Sequence, residues 1–135
     1  MVDPYSVKLG QAGNWLVLKR GELDTGELWS LDVALEAGGL SAATSVWLEP
    51  EGVGLTLAAH FGEMSADWRG WDGSKDWEGT EGGLTLSCTN DGLGHIILDV
   101  QLNHLSGEGW SARANIPIDA GQLDEITADL HRLLA

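Results

Sequence analysis

Hydrophobic and polar positions alternate with a period of two along much of this chain, and such alternation predicts strands with one buried face. Leu84, Leu86 and Cys88 alternate with Thr85, Ser87 and Thr89 before Asn90-Asp91-Gly92 turns the chain. Ile96, Leu98, Val100 and Leu102 form a second apolar row. After the Ser106-Gly107-Glu108-Gly109 turn, Trp110, Ala112, Ala114, Ile116 and Ile118 form a third. Three rows joined by short polar turns predict an antiparallel meander. Upstream, Tyr5 to Gly10 and Asn14 to Lys19 read as short strands around Gln11-Ala12-Gly13. Leu28 to Ala37 sets Trp29, Leu31, Val33 and Leu35 on one face, and Gly38-Gly39 supplies the positive-φ residues of a hairpin turn. Leu40 to Glu49 returns with Leu40, Ala42, Thr44, Val46 and Leu48 inward, which leaves Trp47 on the outer face.

The period changes twice. After Pro50, which suits a first helical turn, Val53, Leu57, Phe61, Met64 and Trp68 recur at steps of four, four, three and four. Near the end, Asp119 with Gln122 three residues on predicts an N-cap and capping box. The stripe that follows, Leu123, Ile126, Leu130 and Leu133, predicts a closing amphipathic helix. Between the helix and the meander, Arg69 to Gly83 is an acidic, glycine-rich loop with a short strand near Trp77. The sum is one α+β domain over residues 1–135: an antiparallel β-sheet of about six to seven strands, one middle helix and one C-terminal helix, with both helices on one sheet face.

Charge changes the picture more than composition does. Hydrophobic residues make up 43% and charged residues 21%, which suits a globular chain. Yet 21 acids oppose seven bases, for a net charge of −14. Between Arg20 and Arg69 there is no base, and another base-free stretch runs from Asp76 to Ala112. Phosphate contacts need clustered cations, so nucleic acid and an anionic membrane are excluded as expected partners. A basic protein partner fits instead, because an acidic surface steers cations. So many carboxylates against so few bases also predict carboxyl pKa values raised by mutual repulsion. Met1-Val2-Asp3-Pro4-Tyr5 lacks the basic and apolar regions of a signal peptide, and the single Cys88 cannot form an internal disulfide. Cytoplasm is the expected compartment.

Known chemistries find little purchase. His60, His95, His104 and His131 show no paired metal-ligand spacing, and Cys88 lies on an inward strand row, so no metal or cofactor is expected. Asp72-Gly73-Ser74-Lys75-Asp76-Trp77-Glu78 is only superficially a calcium loop, since its sixth position is Trp77 and its twelfth Gly83. There is no Gly-x-Ser-x-Gly elbow and no phosphate-cradling loop with a lysine. No catalytic residue is assigned, and a non-enzyme is expected.

Tryptophan is the remaining signal, with seven in the chain. Trp15, Trp29 and Trp110 on strands and Trp68 at the end of a helical stripe read as core. Trp71 and Trp77 lie in the loop beside Asp72, Asp76 and Glu78, an aromatic set rimmed by carboxylates of the kind favoured at binding hot spots. Those five residues are the expected partner-binding set, although rings that fold back to cap the core are the alternative.

The run Asp67-Trp68-Arg69-Gly70-Trp71-Asp72-Gly73, then Trp77-Glu78, then Asp91-Gly92-Leu93-Gly94-His95-Ile96, resembles a family of small uncharacterised bacterial proteins. More loosely it is similar to immunity proteins of polymorphic toxin systems, which share the closing order of a Gly-His strand, another strand and a last helix. The resemblance covers roughly Val46 to Leu134 and brings no catalytic residues. It implies an acidic immunity or inhibitor protein that neutralises a basic toxin domain. The other readings of the residues are a small-molecule or peptide binding module using the Trp-rich loop, and an enzyme of unrecognised type.

Overall fold

The structure, a computed structural model, describes residues 6–21, 23–24, 27–28, 30–47, 53–105 and 107–134. The strands are β1 (Ser6–Gln11), β2 (Asn14–Arg20), β3 (Leu23–Asp24), β4 (Glu27–Leu28), β5 (Ser30–Ala37), β6 (Leu40–Trp47), β7 (Lys75–Glu78), β8 (Leu84–Asn90), β9 (His95–His104) and β10 (Trp110–Asp119). The helices are α1 (Val53–Ala66) and α2 (Leu123–Leu134). The chain is α+β, but the single sheet of six to seven strands is corrected. Two antiparallel four-stranded sheets form, ordered β1-β2-β5-β6 and β10-β9-β8-β7, beside a β3-β4 pair. Alternation reveals which face of a strand is buried and is silent on which strand lies next to it. Here α1 intervenes after β6, and β7 pairs forward with β8 instead of back.

Register makes each buried face continuous. In the first sheet Val7 opposes Leu18, Leu18 opposes Val33, and Leu31 opposes Val46. In the second, Trp77, Leu86, Val100 and Ala114 form one row, and Cys88, Leu98 and Ile116 another. These residues join Leu57, Phe61 and Met64 of α1 and Leu123, Ile126, Leu130 and Leu133 of α2 in one core. The helices pack on each other, α1 also against β7 and α2 against β1 and β2. The two sheets meet where β10 passes β1, β2 and β5 and where β6 touches β9.

Local chemistry explains the boundaries. Gly38 and Gly39 both have positive φ, 50° and 96°, which closes the two-residue β5–β6 turn. Gln122 Oε1 accepts the Asp119 backbone N–H at 3.0 Å, the reciprocal half of a capping box ahead of α2. Each fully buried leucine or isoleucine of the α2 stripe contributes roughly 1.5–3 kcal/mol of burial. Arg20 ties the far end of that helix down, since its Nε donates to the Leu133 carbonyl at 2.8 Å.

Two of the expected core tryptophans are exposed. Helix α1 ends at Ala66, two residues before Trp68, so the last member of the stripe swings out and is 52% exposed. Trp110 opens β10 at the sheet end, where its ring is 39% exposed instead of continuing the inward row. Trp15 is half-buried. The readings placed on Tyr5, Trp29, Leu48, Glu49 and Pro50 lie outside the described residues.

Candidate functional site

The Trp-rich loop starts from the end of α1 and is clamped to the β8–β9 turn. A Cβ at Gly70, where φ is 141°, would lie 3.2 Å from the Gly92 Cα, so the two backbones pass too closely for a side chain. Asn90 is nearly buried between them. Its Nδ2 donates to the Trp68 carbonyl and its Oδ1 accepts the Gly92 N–H, both at 2.9 Å. Trp71 is half-buried, with Nε1 donating to the Cys88 carbonyl at 3.0 Å. Lys75 Nζ pairs with Glu63 and Asp67 at 3.0 Å each and sits 5.5 Å from the centre of the Trp71 ring. Hydrogen bonds to Asp67 and then Glu63 raise the Lys75 pKa.

Strand alternation then divides the expected binding set. In β7, Trp77 points inward and is 9% exposed, with its Nε1 donating to Thr56 Oγ1 of α1 at 3.1 Å. Its neighbours Asp76 and Glu78 point outward and are exposed. Asp72 is exposed at the loop end, where it lines an open hollow with Arg69, Trp71, Asn90 and Asp91. Thus Asp76 and Glu78 share the outer face of the second sheet, Asp72 lies on the adjoining hollow, Trp71 is the partly buried floor between loop and strand, and Trp77 belongs to the core.

The electrostatics are one-sided. Ser87 Oγ donates to Asp76 at 2.7 Å, and this bond, with another from Ser74, holds the Asp76 carboxyl below the usual carboxylate range. Asp91 is held down likewise, first by the Leu93 N–H and then by His95. Asp99 is lowered by Arg113, whose Nε donates to it at 2.8 Å. The repulsion-driven rise expected for the carboxylates is therefore reversed at these three, because each accepts specific hydrogen bonds.

Meanwhile six of the seven bases have partners within the fold. Lys75 and Arg113 pair with carboxylates as described, and Arg132 pairs with Asp129. Lys8 lies over Trp15, Arg69 over Trp68, and Arg20 on the α2 carbonyls. Arg20 and Lys75 are partly buried and the other five bases are exposed, but acids outnumber bases by 21 to seven over the chain.

Two arrangements escaped the sequence reading because their members are far apart in the chain. His60 Nε2 contacts Cys88 Sγ at 3.6 Å across the α1–β8 interface. Burial lowers the His60 pKa and pushes the Cys88 thiol up to about 12, so the neutral forms of both side chains are favoured at this contact. The second arrangement is a cleft of about 170 Å³ between β6 and the end of β9. Thr44 Oγ1 and His104 Nδ1 lie 2.9 Å apart across it, and Trp110 stacks on the His104 ring with centroids 5.5 Å apart. Exposed Trp47 and Leu105 and the carboxylate-bearing Glu81 also line it. Its only sequence signal was an outward Trp47 at a strand end.

Among the described residues, no group of three or more His, Cys, Asp or Glu side chains is gathered to hold a metal, and no helix is long and apolar enough to cross a membrane. Set beside known protein families, residues 8–135 match the family of unknown function DUF6228. No curated protein matches the chain.

Proposed function

We propose that this chain, which belongs to the DUF6228 family of unknown function, is a non-catalytic acidic binding protein that occludes a basic protein partner, as an immunity protein occludes a toxin domain. The observation that carries this reading is the disposition of charge. Six of the seven bases are satisfied within the fold, whereas Asp72, Asp76 and Glu78 stand exposed on the loop and the sheet face beside it. Such a surface accelerates encounter with a cationic partner and repels nucleic acid. Occlusion needs rigidity, and the Asn90 and Gly70–Gly92 contacts hold the loop in place before any partner arrives. Trp71 supports that loop from beneath, and Trp77 anchors the strand that presents the two outer carboxylates.

A protection assay tests the role. Where a gene beside this chain's encodes a basic protein, cells producing that protein should stop growing, and should recover when this chain is co-expressed. Recovery should weaken when Asp72→Asn, Asp76→Asn and Glu78→Gln are combined. Growth that is indifferent to this chain would refute the immunity reading.

A further inference from the structure

We propose that the cleft between β6 and the end of β9 is a binding site for a guanidinium group. Its size argues for a side chain instead of a cofactor. The volume of about 170 Å³ is close to the ~150 Å³ that encloses a benzene ring and below the ~300 Å³ at which drug-sized pockets begin. Its chemistry selects a planar cation. Trp47, 48% exposed, and Glu81 both line it, which brings an indole and a carboxylate to the same cleft. Aromatic faces and a carboxylate together are the surroundings in which a guanidinium is held by stacking and by charge-assisted hydrogen bonds. The described lining contains no Lys or Arg to compete for that carboxylate.

The site is built rigidly. Asn103 Nδ2 donates to the Gly82 carbonyl at 2.6 Å and the Asn103 N–H donates to the Gly83 carbonyl at 2.9 Å, so the turn carrying Glu81 is fastened to β9. Glu81 itself has φ 59°, a left-handed conformation that suits glycine and is rare for a residue with a β-carbon. The glutamate therefore occupies this turn at a backbone cost. The cleft takes Glu81 and Gly83 from the end of the acidic Arg69–Gly83 segment, close to Glu78 but remote from the Asp72 hollow beside the Asp91 turn. Ten-residue β9 runs from His95, beside the Asp91 turn, to His104, a span of roughly 30 Å at about 3.4 Å per residue.

Guanidinium groups come from free arginine derivatives or from arginine side chains of a polypeptide, and one titration separates them. The ¹⁵N-labelled protein is titrated with N-acetyl-arginine amide, with the uncharged citrulline analogue, and with a blocked glycine peptide carrying a single arginine. Blocked arginine should shift the Trp47 indole N–H and the Glu81, Gly83 and Asn103 amides and saturate in the millimolar range, while citrulline should not. Glu81→Gln, which keeps the shape and removes the charge, should weaken binding about tenfold, the loss of one charge-assisted contact. Neutralising Asp72 and Asp76 should leave it unchanged, which separates this site from the acidic-surface proposal, while Glu78 is kept native because its carboxylate lies against Gly82 beside Glu81. Tighter binding of the peptide, with shifts spreading along β6, assigns the site to a polypeptide arginine, and equal affinity assigns it to a small molecule. Absence of shifts at the cleft with both arginine probes, or equal shifts with citrulline, would overturn the proposal.

Discussion

Trp77 Nε1 and Thr56 Oγ1 meet at 3.1 Å, and this contact locks the short edge strand β7 onto α1 beneath it. The indole is 9% exposed, so it is part of the packing that lets β7 display Asp76 and Glu78 on its other face. Trp77→Ala should cost about 3–5 kcal/mol, the usual penalty for emptying a large aromatic site. Trp71→Ala removes a half-buried ring and its bond to the Cys88 carbonyl and should cost less, about 1–3 kcal/mol. Urea denaturation measures both. A loss below 1 kcal/mol for Trp77→Ala would show that the ring is not core.

Gly62 sits in the interior of α1, facing α2. A Cβ there would meet only Thr127 Cγ2, at 3.8 Å, an ordinary contact. Gly62→Ala should therefore stabilise the protein by about 0.5–1 kcal/mol, the helix-propensity difference between the two residues. A destabilised variant would mean that the helices pack more closely than this spacing.

The strained backbone at Glu81 makes a prediction of its own. Glu81→Gly removes a left-handed non-glycine residue while adding freedom to the unfolded chain, so stability should hold or rise by up to about 1 kcal/mol. Glu81→Val should lose at least about 1 kcal/mol, because a β-branched residue tolerates positive φ poorly. Equal stability of the two variants would contradict the backbone assignment.

Stability should fall as pH drops below neutrality. Burial holds the folded His60 pKa below its unfolded value of 6.5, so the unfolded chain binds the proton more tightly. The associated stability is present above pH 6.5 and is lost as pH falls from there through the folded pKa. One such group gives a slope of at most about 1.4 kcal/mol per pH unit. Asp76, Asp91 and Asp99, lowered as well, act in the same sense further down, below their ordinary value of 3.8. Denaturation curves between pH 7 and 5 for the native chain and for His60→Gln isolate the histidine. A native protein that gains stability over that window would show that carboxylate repulsion outweighs it.

Much of the fold was legible because its signals are local. The rows Leu84-Leu86-Cys88 and Ile96-Leu98-Val100-Leu102, the Asp119–Gln122 cap and the Leu123–Leu133 stripe need only the periods of strand and helix. Partition into two sheets was not legible, because strand pairing across α1 is a long-range choice that a period of two does not encode. The same limit applied to the candidate site. Alternation alone, Asp76 out, Trp77 in, Glu78 out, could have moved Trp77 to the core once Lys75–Glu78 was taken as a strand. The cleft that brings Trp47 to His104 and the His60–Cys88 contact each join residues more than 25 positions apart and emerge only from the packing.

The central claim is that exposed acids of the loop and sheet face steer a basic partner, and association kinetics test it most directly. The basic protein that the chain protects against in the growth assay is mixed with the native chain and with the combined Asp72→Asn, Asp76→Asn, Glu78→Gln variant at low and high salt. Native association should be fast, about 10⁷ M⁻¹s⁻¹ or more at low salt, and should slow steeply as salt rises. The variant should associate about tenfold more slowly at low salt, with a flatter salt dependence and a dissociation rate changed far less. Association rates that are insensitive to both salt and the three substitutions would contradict the account.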